Sequence, residues 1–180
     1  MKLEGKSIYL RPIEMSDADG AYPTWLNDPE VCRYNSHGDI LYTREMAQSY
    51  IKSVMDNPNT AVFAICLHED DRHVGNIALQ QISTKNRNAE FAILIGDPSV
   101  YRRGIGFEAS RLLFDYGFNS LHLHRIYCGT HYENKGMRSL AEKLGMNQEG
   151  YRKEALFKNG QFADIVEYGI LNHDYQKAQL

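Results

Sequence analysis

Three apolar runs, separated by two short polar breaks, occupy the middle of the chain: AVFAICL (61–67), VGNIALQQI (74–82) and AEFAILI (89–95). Each is too short for a buried helix, and each is bounded by turn-forming residues, Glu69-Asp70-Asp71 and then Lys85 to Asn88. The pattern predicts an antiparallel three-stranded meander. The sequence then changes character. A loop, GDPSVYRR, leads into Gly104-Ile105-Gly106 and a helix whose apolar stripe is Ala109, Leu112, Leu113 and Tyr116, at i, i+3, i+4 and i+7. The run HRIYCGTHY (124–132) returns as a strand. A meander followed by one helical crossover restricts the chain to a mixed α/β sheet.

The flanks fit that frame. KSIYLRPI (6–13) reads as a first strand. Ser16 and Asp19 are placed as a capping box opening a helix through Ala21, Tyr22, Trp25 and Leu26, interrupted at Pro23 and ended at Asp28-Pro29. Cys32 to Leu41 is an irregular loop of the kind that shapes substrate sites. Thr43 starts a second helix, ended at Asn57-Pro58-Asn59, and Lys135 to Leu144 forms another, ended by Gly145. GYRKEALF and FADIVEYGIL flank Asn159-Gly160 as a closing hairpin. The order β-α-α-β-β-β-α-β-α-β-β, without repeats or linkers, predicts one domain over residues 1–180.

A net charge of −3 advertises no nucleic-acid face, and no run approaches the roughly 20 apolar residues of a membrane span. Cys32, Cys66 and Cys128 are widely spaced, without CxxC pairing, as expected for reduced thiols. With no apolar signal core after Met1, the expectation is a cytoplasmic protein without membrane or nucleic-acid partners. His122 and His124 alternate at a strand entrance, but two side chains without a partner motif predict no metal site.

The segment DPSVYRRGIGFEA (97–109) carries the chemistry. Two glycines at a strand-to-helix transition let the backbone turn tightly and present amides at a helix N-terminus, where an anion is favoured. Arg102 and Arg103 add positive charge, so the segment reads as a pyrophosphate cradle; the alternative is a plain junction with solvated arginines. A Walker A string is absent. A dinucleotide fingerprint fits Gly104, Gly106 and Ala109, but eight residues separate Ile95 from Gly104 where that motif turns almost at once.

The same segment resembles motif A of the GNAT superfamily of N-acetyltransferases, [Q/R]xxGx[G/A], and Glu108-Ala109 matches the GxGxEA wording of its branch resembling ribosomal-protein alanine acetyltransferases. IYLRPIEMSDA, WLNDPEV, ENKGMRSLAEKLGM and EGYRKEALFKNGQFADIVEYGIL are similar to other segments of that branch, in order along the chain. The resemblance implies a mostly antiparallel central sheet with a splayed strand pair, flanked by about four helices. It implies acetyl-CoA as cosubstrate, with pantetheine paired to backbone groups of Ile93, Leu94 and Ile95. The pyrophosphate would be wrapped by Tyr101, Arg102, Arg103, Gly104, Ile105, Gly106 and Phe107. Asn134 matches a pantetheine contact, and Lys143 is either a phosphate ligand or a solvated helix cation. A homodimer is allowed by the same analogy.

The implied reaction is direct attack of a primary amine on the thioester in a ternary complex. The amine would belong to a protein N-terminus, a polyamine, an amino sugar or another small molecule. A backbone amide near Leu94 would stabilise the carbonyl oxygen, and Glu90 would accept the amine proton, bind the ammonium, or simply pair with Arg87 at the surface. Trp25, Tyr34 and Tyr42 are candidates for the acceptor pocket or for ordinary packing. The chain departs from the family pattern in three places. Tyr101 occupies the Gln/Arg position, Met137 replaces a Ser or Ala, and Ala141 replaces the Tyr proposed to protonate the leaving thiolate, leaving Tyr132 or a water for that role. Two further functions remain open: a non-catalytic coenzyme A-binding module and a nicotinamide-dependent oxidoreductase. A Cys128 acyl-enzyme lacks a recognisable activating His/Asp arrangement.

Overall fold

The computed structural model describes residues 1–177. β1 (Leu3–Glu4) and β2 (Ile8–Pro12) form a small hairpin closed by the Gly5 amide on the Ile8 carbonyl, 2.9 Å, where a single strand was expected. A 3₁₀ turn (Met15–Asp19) follows. Its box is set two residues earlier than Ser16: the Asp17 carboxylate accepts from the Glu14 amide at 2.8 Å. α1 is only Tyr22–Trp25, with Pro23 tolerated because it sits in the first turn. α2 (Arg44–Met55) is capped by the Thr43 hydroxyl on the Met46 amide and buries Ala47 and Ile51.

The meander is β3 (Ala61–Leu67), β4 (His73–Ser83) and β5 (Asn88–Ile95). α3 (Ile105–Asp115) follows the glycine loop and widens into a π turn at Tyr116–Ser120. Then come β6 (Arg125–His131), α4 (Lys135–Lys143), β7 (Asn147–Lys158), β8 (Gln161–Leu171) and α5 (Asn172–Lys177). α5 has too few apolar residues to announce itself. Its Tyr175, 1% exposed, fastens it by donating to the Arg111 carbonyl and Asp115.

Among the described residues the eight strands form one sheet, ordered β1-β2-β3-β4-β5-β6-β8-β7. Every neighbouring pair is antiparallel except β5 and β6. A single parallel pair provides no doubly wound sheet, so the dinucleotide reading of Gly104, Gly106 and Ala109 loses its fold. Alternation sorts the side chains onto two faces. Phe63, Ile65, Phe91 and Ile126 pack with Ala109, Leu113 and Phe114 of α3 in the main core. Val62, Ala78 and Leu94 face the other way, into a second core built with Tyr22, Trp25, Leu26, Ala47 and Ile51 of α1 and α2. No helix among the described residues is long and apolar enough to cross a membrane.

Candidate active site

β5 and β6 pair at only three positions, Asn88 with Arg125, Ala89 with Ile126 and Glu90 with Tyr127. Beyond that fork both strands continue. β5 runs to Ile95 against β4, and β6 runs to His131 against β8, with no pairing between them. The sheet therefore opens into a gap lined by backbone on both sides, which is the splay anticipated from the resemblance.

Which β5 groups face the gap follows from strand parity. The Gly96 amide donates to Val74 on the β4 side at 2.9 Å, while the Arg87 carbonyl accepts from Arg125 on the β6 side at 3.2 Å. The register between them is unbroken from Glu90 to Ile95. Residues of even number thus turn their amides and carbonyls to β4, and Phe91, Ile93 and Ile95 turn theirs to the gap. A backbone amide near Leu94 was expected here, with Leu94 itself among the pantetheine contacts. Its N–H faces β4 and its side chain joins the α1–α2 core, so the gap-facing donors are Ile93 and Ile95.

The loop after β5 is braced from below. Arg72 bonds Asp97 at 2.7 Å, and Asp97 caps the turn Pro98–Val100 through the Ser99 amide. Arg103, placed at the phosphates by the sequence, is held by Glu69 at 3.1 Å. Arg102 adopts φ 62° and forms no ion pair among the described residues, leaving it the loop's available cation. Gly104 is the helix N-cap at φ 81°, a left-handed conformation natural to glycine. Because the Glu108 amide is the first to bond back, to the Gly104 carbonyl at 3.0 Å, the amides of Ile105, Gly106 and Phe107 stay open at the end of α3. Glu108 itself accepts from the Ser7 amide at 2.8 Å, tying α3 to the β1–β2 hairpin rather than serving a ligand.

Tyr101, which replaces the motif's Gln/Arg, donates its phenol to the Ile95 carbonyl at 3.2 Å. It roofs the gap-facing edge of β5 and forms no hydrogen bond or ring contact with a side-chain cation among the described residues. Asn134 caps α4 through the Met137 amide at 3.1 Å; its amide nitrogen makes no hydrogen bond among the described residues. Lys143 lies in the last turn of α4, where it complements the helix dipole. Ala141 is fully buried in the main core.

At the fork, the Glu90 carboxylate accepts from the side-chain amides of Gln80 at 3.3 Å and Gln81 at 2.7 Å. These two amides, not Arg87, orient it. Cys128, just past the fork, is 2% exposed, and burial with the nearby Glu90 charge pushes its thiol up to about 12. Such a thiol stays protonated at neutral pH and makes a poor nucleophile. Tyr132 donates to Glu133 at 3.0 Å, and that hydrogen bond raises its pKa, so the phenol keeps its proton.

The three proposed acceptor aromatics separate. Trp25 is 6% exposed and wedged on Gly96 and the His73 ring, 4.9 Å away, as core. Tyr42 packs on Tyr22 with its backbone held by Asn27. Tyr34 lines a cavity. It lies 5.2 Å from the ring of His131, which stacks at 5.5 Å on Tyr132. A cavity of about 330 Å³ opens there, lined by these three rings, Glu133, Lys158 and Phe162 among others. His131 and Lys158 escaped the sequence reading. His131 was one polar residue in a strand, and only the fold turns it to the same face as Tyr127 and beside Tyr34. Its Nδ1 accepts from the Glu133 amide at 3.1 Å, which assigns the proton of the neutral ring to Nε2.

Comparison with known proteins agrees with this geometry. Residues 7–147 match the family model described as acetyltransferase (GNAT) domain. The chain is 32% identical over 177 residues to a probable N-acetyltransferase, YjcK, of Bacillus subtilis, covering 96% of this chain and 98% of the relative. It is 30% identical to the spermidine N(1)-acetyltransferase of Escherichia coli K12, covering 94% and 88% respectively. Among solved structures, spermidine N-acetyltransferase from Vibrio cholerae in complex with CoA and spermine superposes with a TM-score of 0.86 at 24% identity, over 94% of this chain and 98% of that one. RimL, a ribosomal L7/L12 alpha-N-protein acetyltransferase in complex with coenzyme A, does so at 0.87 and 15%, over 95% and 98%. With the forked sheet, the glycine-capped α3 and a family match spanning most of its length, the chain belongs to the GNAT acetyltransferases and is an N-acetyltransferase.

Proposed function

We propose that this enzyme transfers the acetyl group of acetyl-CoA to a primary amine by direct attack within a ternary complex. The observation that carries the reading is the fork at Glu90 and Tyr127, from which the unpaired edge of β5 leads to the open amides of α3. Acetyl-CoA supplies an acetyl group already activated as a thioester. The Ile93 amide is positioned to pair with an amide-bearing arm laid along β5, and the Ile95 amide does the same beneath Tyr101. Whichever of the two lies nearest the carbonyl polarises it as negative charge develops. Arg102 and the amides of Ile105, Gly106 and Phe107 hold the diphosphate.

Glu90 is the group at the fork able to take a proton from an incoming ammonium or to bind it, and its two glutamine partners fix where that proton goes. The phenol of Tyr132, protonated at neutral pH, is the side chain in place of the missing Tyr at 141 that donates to the departing thiolate, directly or through water. The buried, protonated Cys128 favours direct attack over an acyl-enzyme. Polyamines, amino sugars and protein N-termini all carry the required amine. Thermal unfolding with added acetyl-CoA or NADH tests the cosubstrate. Stabilisation of about 2.7 kcal/mol at a hundredfold excess over Kd is expected with acetyl-CoA and none with NADH. The absence of any shift with acetyl-CoA would contradict the proposal.

A further inference from the structure

Lys158 ends β7 at the tip of the closing hairpin, yet it is 7% exposed. A lysine ammonium is rarely taken out of water unless it is paired. Both partners of Lys158 come from one distant loop: its Nζ donates to the His37 carbonyl and to the Asp39 carboxylate, the latter at 3.2 Å. Gly38, between them, adopts φ 90° and approaches so closely that an added Cβ would stand 2.9 Å from Cys32 Cβ and 3.7 Å from the ammonium. The left-handed glycine thus lets the chain double back and present both acceptors to a single cation.

Little else holds this loop. The His37 amide bonds Asn35, and Tyr42 is anchored by Asn27, but residues 38–41 make no backbone hydrogen bond among the described residues. Ile40 and Leu41 are 67% and 75% exposed, so packing contributes little. The loop follows Tyr34, and Lys158, like Tyr34 and His131, lines the 330 Å³ cavity on the face of the sheet that carries Tyr127 at the fork. Residues 35–42 do not themselves line this cavity, so the grip bears on its wall through Lys158 itself and through Tyr34, just ahead of the loop.

We propose that Lys158 is a positioning residue for acceptor selection: by gripping the His37 carbonyl and the Asp39 carboxylate it docks loop 35–42 on the closing hairpin and so holds Tyr34 and its own stem in place in the cavity wall. The inference rests on the acetyltransferase reading above, and it adds that selectivity depends on a contact remote from the fork. In this arrangement acetyl-CoA binding, on β5 and α3, is independent of the grip.

The test compares wild type, Lys158→Met, Lys158→Arg and Asp39→Asn in two measurements. The first is limited chymotrypsin cleavage after Leu41 or Tyr42, which requires no turnover. The second is steady-state transfer to the amine that the wild type uses best. Lys158→Met is expected to speed loop cleavage about tenfold and raise KM for the amine about tenfold, with KM for acetyl-CoA changed less than about twofold. Asp39→Asn should shift both in the same direction by less, because the carbonyl contact survives, and Lys158→Arg should recover most of each. Unchanged cleavage in Lys158→Met would overturn the grip. Faster cleavage with unchanged amine KM would overturn its role in selection, as would equal changes in both KM values. A wild type that transfers acetyl to no amine contradicts the reading beneath and overturns the selection role with it, while the cleavage rates still report on the grip, so the two failures are told apart.

Discussion

A methyl group at position 106 would meet Ile93 Cδ1 at 3.8 Å and Ile95 Cγ1 at 3.9 Å, ordinary contact, in the first turn of α3. The fold does not need glycine there, and glycine costs a helix about 1 kcal/mol relative to alanine. What the missing Cβ leaves is room above the open amides. Gly106→Ala should therefore keep or raise unfolding stability in urea by up to about 1 kcal/mol, while weakening acetyl-CoA affinity about tenfold or more; loss of both together would make Gly106 structural. Asp17 is the opposite case. Burial alone would raise its pKa, but hydrogen bonds from Arg11, at 2.6 Å, and from His73 and the Glu14 amide outweigh that and hold it well below the ordinary carboxylate value. A depressed folded-state pKa gives stability that is complete above the unfolded value near 4 and is lost as pH falls toward the folded one. Denaturation midpoints should decline below about pH 4. Asp17→Asn, by stranding the Arg11 guanidinium, should cost about 3–5 kcal/mol and flatten that decline. Glu90→Gln keeps its amide partners and removes the proton acceptor, so kcat should fall about a hundredfold with acetyl-CoA binding intact.

At the scale of elements, the loop that leads from β5 into α3 is seated on α1. A Cβ on Gly96 would lie 1.9 Å from Trp25 Cδ2, inside the ring's own volume. Gly96→Ala should displace Trp25 from His73, cost about 1–3 kcal/mol as overpacking does, and weaken acetyl-CoA binding through the shifted start of the loop; thermal unfolding and cosubstrate titration of the same variant read both. Most of the elements were legible in the chain because periodicity and turn chemistry are local. The meander, α3 with its glycine cap and the Asn159-Gly160 hairpin needed no partner to be recognised. Other features did need one. The β1–β2 break depends on Gly5 reaching Ile8, α5 depends on Tyr175 finding a buried seat, and Trp25 is core only because Gly96 lies beneath it. Leu94 was placed in the right strand, but which edge its amide faces is set by pairing with β4, which no single segment encodes. Lys158 and His131 were hidden for the same reason. A lysine beside a turn reads as solvated until a loop about 120 residues away closes on it.

The molecule as a whole joins two cores across one sheet, and the fork between β5 and β6 is where the sheet itself opens. The open amides of α3 lie on one side, and the carboxylate and aromatic cavity on the other, so a substrate pair would meet through the gap. That division is what an acyl transfer between a large nucleotide thioester and a separate amine requires. The direct measurement is amine-dependent release of free coenzyme A thiol from acetyl-CoA by the purified enzyme. Spermidine, an amino sugar and a peptide with a free N-terminus would be supplied separately. The structure predicts release that saturates with at least one of these amines and is lost in Glu90→Gln. Folded protein that binds acetyl-CoA and releases no thiol above the amine-free rate with any of them would contradict catalysis at the fork.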